Sequence, residues 1–143
     1  MKYKQTQDVF NENINKYGCL FFSLMDIAEE YTGHSFIVRT IDKLYSECVD
    51  LGIMRKDCYV LNHEKVLQQA LEVFENHDKV NYVGCEYLHK LGSWGEYSSM
   101  FQIIQMKTQR GNGHFLRLHY DPYYPEIKFI SQKSIRYYNI GVS

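Results

Sequence analysis

Cys19 and His114 are the two residues whose types and positions best suit nucleophilic chemistry. Cys19 follows a glycine in the apolar stretch "YGCLFFSLMDIAEEY", whose spacing predicts a helix from about Cys19 to Tyr31 with Gly18 as N-cap. A helix N-terminus presents free N–H groups and the positive end of the helix dipole, and both favour a thiolate. Cys19 is therefore a candidate nucleophile, and a partly exposed, inert thiol is the alternative.

The angular arrangement of this helix separates Cys19 from the apolar residues. At 100° per residue, the apolar side chains cover an arc of roughly 220°. They are Leu20, Phe21, Phe22, Leu24, Met25, Ile27, Ala28 and Tyr31. The narrow remainder, which we call the polar stripe, consists of Cys19, Ser23, Asp26 and Glu30. A cysteine that only filled the core would be expected on the other side.

A nucleophilic thiol needs a base, and His114 is the best candidate. The "GNG" of "RGNGHFLRLHY" predicts a tight turn, so we expect Met100–Gln109 and His114–Tyr120 to pair as antiparallel strands. His114 would then begin the second strand, where little side-chain bulk blocks access. The remaining histidines before this hairpin lie in predicted loops or at helix ends without a comparable setting: His34, His63, His77 and His89.

Helices in the first half and strands in the second predict an α+β fold with segregated layers. A second helical pattern spans Ile37 to Leu51, and Asn62 can cap a third helix with an apolar face from Val66 to Phe74. "KVNYVGCEYL" and the hairpin are strand-like, and "IKFI" and "IRYYNI" predict two short closing strands. We expect the 143 residues to form a single domain, 1–143.

The composition argues against several classes of protein. The formal net charge is -1 and the basic residues are scattered, so nucleic acid is not an expected partner. No signal-peptide core and no run near the ~20 apolar residues of a membrane span is present, so we expect a cytoplasmic protein without a membrane partner.

No metal ion or other cofactor is expected. The four cysteines have spacings typical of neither a metal knuckle nor a disulfide framework, so free thiols are predicted. They are Cys19, Cys48, Cys58 and Cys85. His114, His119 and Asp121 do not predict a metal site either, because strand positions 114 and 119 point to opposite faces.

The motifs "YGCLFFSLMDIAEEY" and "GHFLRLHYDPY" resemble those of papain-like cysteine peptidases, in particular the double-glycine leader peptidases. In these enzymes a Gly-Cys opens the central helix and a strand histidine supplies the base. The resemblance implies a first helix packed on a C-terminal antiparallel sheet, and a peptide or protein substrate. The chain also resembles, over nearly its whole length, an uncharacterised family from bacterial plasmids and prophages through "YGCLFF" and "GNGHF", which implies no activity.

The resemblance to the peptidases also implies two further site residues. Asn13 matches a glutamine that helps to form the oxyanion hole; a loop or capping role is the alternative. Asp121 in "DPY" matches the aspartate that orients the histidine. A straight strand would, however, separate His114 and Asp121 by ~23 Å. Either the strand bulges or folds back, or another group orients His114, or the site is a Cys-His dyad, or it has lost activity.

Two functions remain open from the sequence. The first is a cysteine peptidase or related thiol amide hydrolase that acts through Cys19 and His114. The alternative is a catalytically inactive papain-like binding or inhibitory module, as an accessory protein of a phage or plasmid. Trp94 in "SWGEY" either lines the substrate cleft or caps the core. Neither the substrate identity nor the oligomeric state follows from the sequence.

Overall fold

The computed structural model describes residues 1, 7, 10, 12, 18–90, 101–107, 113–118 and 128–141, and only the backbone at 86–90, 106, 107, 113, 114, 116, 118 and 128–134. In chain order, the described elements are three helices and four strands. They are α1 (Cys19–Thr32), α2 (Val38–Asp50), α3 (His63–Val73), β1 (Val80–Lys90), β2 (Phe101–Lys107), β3 (Gly113–Leu118) and β4 (Lys128–Ile140). The predicted α+β class with helices before strands is confirmed.

The helix ends follow from local sequence signals. Gly18 is the N-cap of α1, and Gly33 ends that helix in the left-handed conformation at φ 74°. The Gly33 N–H donates to the Glu29 carbonyl oxygen at 2.8 Å. The Asn62 side chain accepts the Lys65 N–H at 3.1 Å at the start of α3. The predicted caps of α1 and α3 are thus confirmed.

The four strands form one antiparallel sheet in the order β1-β4-β2-β3. The predicted β2–β3 hairpin pairing is confirmed from Gln102–Leu118 to Lys107–Gly113. The prediction of two short closing strands is wrong, because β4 is continuous across the polar "SQKS" segment. β4 is a central strand, and hydrogen bonds to β1 along most of its length keep it extended where the sequence alone suggests an interruption.

The hydrophobic core lies between the helices and one face of the sheet. α1 contributes five fully buried side chains, which are Phe21, Leu24, Met25, Ile27 and Ala28. The sheet contributes Val80, Ile103, Tyr138 and Ile140 to the same cluster. The burial of α1 on a wide arc agrees with the sequence prediction, although Leu20 and Tyr31 of that arc are only half-buried. Ser23, expected on the polar stripe, is buried and its hydroxyl donates to the Cys19 carbonyl oxygen at 2.8 Å.

A close contact joins the end of β4 to α1. Gly141 has φ 74°, and a Cβ built there would lie 2.6 Å from the Tyr31 hydroxyl oxygen. That hydroxyl donates to Asp78 Oδ2 at 2.5 Å, which holds it in place. Both the backbone angle and the neighbouring hydroxyl therefore favour a glycine at this position. Within the described part of the chain, no helix combines the length and apolar character needed to cross a membrane.

Candidate active site

Cys19 is the first residue of α1 and its side chain is half-buried. The first turn of α1 contains no acidic residue, and its glycine N-cap adds no side-chain hydrogen bond. No carboxylate in the helix's first turn therefore offsets the positive end of the dipole at this cysteine. The predicted position of Cys19 at the helix N-terminus is confirmed.

The C-terminal part of the polar stripe is covered by β3 through Arg117. The Arg117 Nε lies 3.5 Å from Asp26 Oδ2, and its guanidinium also pairs with the Glu30 carboxylate. Only 8% of the Arg117 side chain is exposed. Burial lowers the Arg117 pKa, while Glu30 and Asp26 oppose that shift. The part of the stripe formed by Asp26 and Glu30 is thus a contact surface between α1 and β3.

A second contact shows that the C-terminal ends of α1 and β3 lie together. The rings of Tyr31 and Phe101 are 6.0 Å apart, and the Arg117 guanidinium carbon is 5.7 Å from the centre of the same Phe101 ring. Cys19 precedes Asp26 by about 10 Å along the helix axis. His114 precedes Arg117 by about 10 Å along the strand. The starts of the two elements therefore lie at similar distances from the contact between Asp26 and Arg117.

The register of β3 separates His114 from the residues that contact α1. Arg117 pairs with Ile103, a residue of the core cluster, whereas His114 pairs with Met106. Positions 114 and 117 are three residues apart, so they belong to opposite alternating sets of strand positions. The side chain of His114 is outside what the structure describes, as are residues Asn13, Trp94 and Asp121 in full. The Cys19–His114 pair and the roles of those three residues stay predictions.

The other cysteines differ in their access to solvent. All four cysteines are free thiols, and Cys48 and Cys58 are buried whereas Cys85 is exposed. Burial raises the pKa of Cys48 and of Cys58 to about 12, and Asp57 and then the neighbouring Cys19 add to the rise at Cys58. Cys48 and Cys58 are therefore protonated at neutral pH, which leaves Cys19 and Cys85 as the thiols open to reagents.

A group of polar side chains was missed by the sequence analysis. His63, dismissed there as a helix-end residue, has its Nδ1 3.0 Å from the Tyr138 hydroxyl and its Nε2 3.4 Å from an Arg136 nitrogen. No local motif could have indicated this group, because its members are far apart in the chain. Among the residues that the structure describes, no three His, Cys, Asp or Glu side chains are arranged to hold a metal ion.

Comparison with known proteins gives a family but no relative of known activity. Neither a curated protein nor a solved structure matches the chain. One family model matches residues 1–124, a range that includes α1, β1, β2, β3 and the positions of Asn13 and Asp121. The chain therefore belongs to the family described as "Protein of unknown function, DUF261".

Proposed function

We propose that the protein is a cysteine peptidase or related thiol amide hydrolase of papain-like fold, with Cys19 as nucleophile and His114 as base. The observation that carries the proposal is the position of Cys19 at the start of α1, on the stripe that contacts β3. His114 belongs to that same strand. The four free thiols fit a reducing compartment, so we place this activity in the cytoplasm.

The proposed reaction uses Cys19 and His114 in two steps. His114 removes the Cys19 thiol proton, the sulfur attacks the amide carbonyl carbon, and the C–N bond breaks as the same proton passes to the leaving amine. Water then hydrolyses the thioester and frees the thiol. The side-chain amide of Asn13 and the Cys19 backbone N–H would hold the oxyanion, and each such donor contributes ~3 kcal/mol in acyl transfer.

A binding or inhibitory module without turnover is the second candidate, and the register of β3 favours it. His114 is in the alternate set of positions from Arg117, which contacts α1. A regular strand would then keep the His114 imidazole away from the stripe of Cys19. The hydrolase needs a local departure from regular alternation at the start of β3, whereas the module does not.

Alkylation of Cys19 separates the two functions. The measurement is the iodoacetamide rate at pH 6.5, followed by mass spectrometry in a Cys85→Ser background, because Cys85 is the other accessible thiol. The hydrolase predicts a rate at least about tenfold above that of an unactivated thiol, which is lost in His114→Ala. His77→Ala is the control, since the His77 side chain is 77% exposed and its ion-pair partner is Glu72.

The same assay tests the third catalytic residue. If Asp121 does not contact His114, Asp121→Asn should leave the alkylation rate within about twofold of the parent rate. A clear loss of rate at pH 6 to 7 in a folded Asp121→Asn protein would instead indicate a full triad. A Cys19 rate equal to that of a free thiol, unchanged in His114→Ala, would reject the hydrolase and leave the non-catalytic module.

A further inference from the structure

Four side chains that the proposed hydrolase does not use meet on the helix side of the sheet. We call His63, Tyr82, Arg136 and Tyr138 the Arg136 cluster. Tyr82 and Tyr138 are partners in the β1–β4 register, and Arg136 lies two positions before Tyr138 on the same face of β4. The His63 ring, at the start of α3, is 4.5 Å from the Tyr82 ring and 5.6 Å from the Tyr138 ring.

The hydrogen bonds of the cluster determine the protonation of His63. A guanidinium can only donate, so the Arg136 nitrogen 3.4 Å away makes the His63 Nε2 an acceptor. The Nδ1 then carries the ring proton and donates to the Tyr138 hydroxyl oxygen at 3.0 Å. Burial, and after it the charge of Arg136, lowers the His63 pKa, which agrees with a neutral ring. His63 therefore supports the guanidinium without supplying a negative charge.

The positive charge of Arg136 has no carboxylate partner among the described residues. Its Nε is buried without a hydrogen-bond partner in the described part of the chain, and its guanidinium carbon lies 5.7 Å from the Phe115 ring centre. The two described arginines that form ion pairs differ from Arg136, because each has a carboxylate partner. Arg117 binds two carboxylates, and Arg55 lies 2.6 Å from Asp57 Oδ2. A partly buried guanidinium with a spare donor is suited to an anionic ligand.

The cluster can be reached from solvent on the β1 side. Tyr82 and Arg136 are half-buried, and Cys85, the register partner of Arg136, is exposed. Burial, and after it a hydrogen bond with the Cys85 thiol, raises the Tyr82 pKa, while the charge of Arg136 and a hydrogen bond with its side chain oppose that rise. Glu64 is the nearby carboxylate, and its Oε2 accepts the Tyr82 backbone N–H at 2.9 Å. The Tyr82 hydroxyl would donate to a ligand beside Arg136 in place of the Cys85 thiol.

We propose that the Arg136 cluster binds an oxyanion, the carboxylate or phosphate group of a small ligand or peptide. Two guanidinium N–H groups of Arg136 would donate hydrogen bonds to two oxygens of the ligand, and the Tyr82 hydroxyl would donate to one of these oxygens. Neutral His63 and Tyr138 orient the guanidinium from the core side. This site is independent of Cys19, so it would serve either the hydrolase or the non-catalytic module.

The test is a titration of the full-length, ¹⁵N-labelled protein with inorganic phosphate, acetate and chloride in separate series at one ionic strength. The readouts are the ¹H–¹⁵N signals of the Arg136 Nε and of the His63 ring. We expect a saturable shift with half-saturation at about 1 mM for at least one oxyanion, and none for chloride. A response to phosphate alone indicates a phosphate ligand, and a response to acetate alone indicates a carboxylate ligand.

Three variants, read at the His63 ring, complete the test. Arg136→Gln should remove saturable binding. Tyr82→Phe should weaken binding by about fivefold, and this variant still tests the site if Arg136→Gln fails to fold. Arg55→Gln is the matched control, because that arginine also lies over an aromatic ring but has a carboxylate partner, and it should bind normally. No saturation with either oxyanion, an equal response to chloride, or unchanged binding in Tyr82→Phe would overturn the proposal.

Discussion

Arg117→Met should lower the free energy of unfolding by about 2 kcal/mol. Removal of one partner of a fully buried ion pair costs about 3 to 5 kcal/mol, because the other charge stays buried without compensation. In this protein the exposed fractions of the Asp26 and Glu30 side chains are 15% and 50%. Asp26 also retains the Met1 amino group 2.7 Å from its Oδ1. Water, and for Asp26 also the Met1 amino group, can therefore replace part of the interaction that both carboxylates lose. This reduces the expected cost to about 2 kcal/mol.

A double-mutant cycle in urea separates the ion pair from the loss of packing. Methionine keeps most of the apolar stem of Arg117, so Arg117→Met and Glu30→Gln should couple by about 0.5 to 1 kcal/mol. Arg55→Met is the control for an exposed pair, and it should cost less than about 1 kcal/mol. If Arg117→Met destabilises the protein no more than Arg55→Met and the cycle shows no coupling, the Arg117 ion pairs do not stabilise the packing of α1 against β3.

Three further predictions concern single residues. Cys19→Ala should change the free energy of unfolding by under about 1 kcal/mol, whereas Leu24→Ala in the core should cost ~2 to 5 kcal/mol; equal large losses in urea unfolding would make Cys19 a core residue. Because the folded-state pKa of His63 lies below its ordinary 6.5, the unfolded chain binds the proton first, so stability falls as the pH drops below 6.5. His63→Gln should lessen that fall between pH 7 and 5, and an unchanged pH profile would contradict it. Gly141→Ala should destabilise by about 1 kcal/mol more than Gly33→Ala in thermal unfolding, since both have φ 74° but only Gly141 has a neighbour within 4 Å of the added Cβ; equal losses would refute the close contact.

The sequence alone determined the features that depend on neighbouring residues. The apolar spacing and the caps located α1 and α3, because a helix end is decided by a few adjacent backbone and side-chain groups. The glycine-rich turn likewise predicted the pairing of β2 with β3. The position of Cys19 at a helix N-terminus follows from the same local rules. The family resemblance added roles for Asn13 and Asp121, which stay predictions.

Only the tertiary structure decided the features that join distant parts of the chain. β4 is one strand across a polar segment because β1 and β2 flank it, and no signal within the segment itself carries that information. Arg117 covers Asp26 and Glu30 on the polar stripe of α1, which by pattern alone would face solvent. The Arg136 cluster brings α3, β1 and β4 together, and among the described residues the fold places no hydrogen-bond partner at the Arg136 Nε. Long-range packing, and not local propensity, selects these contacts.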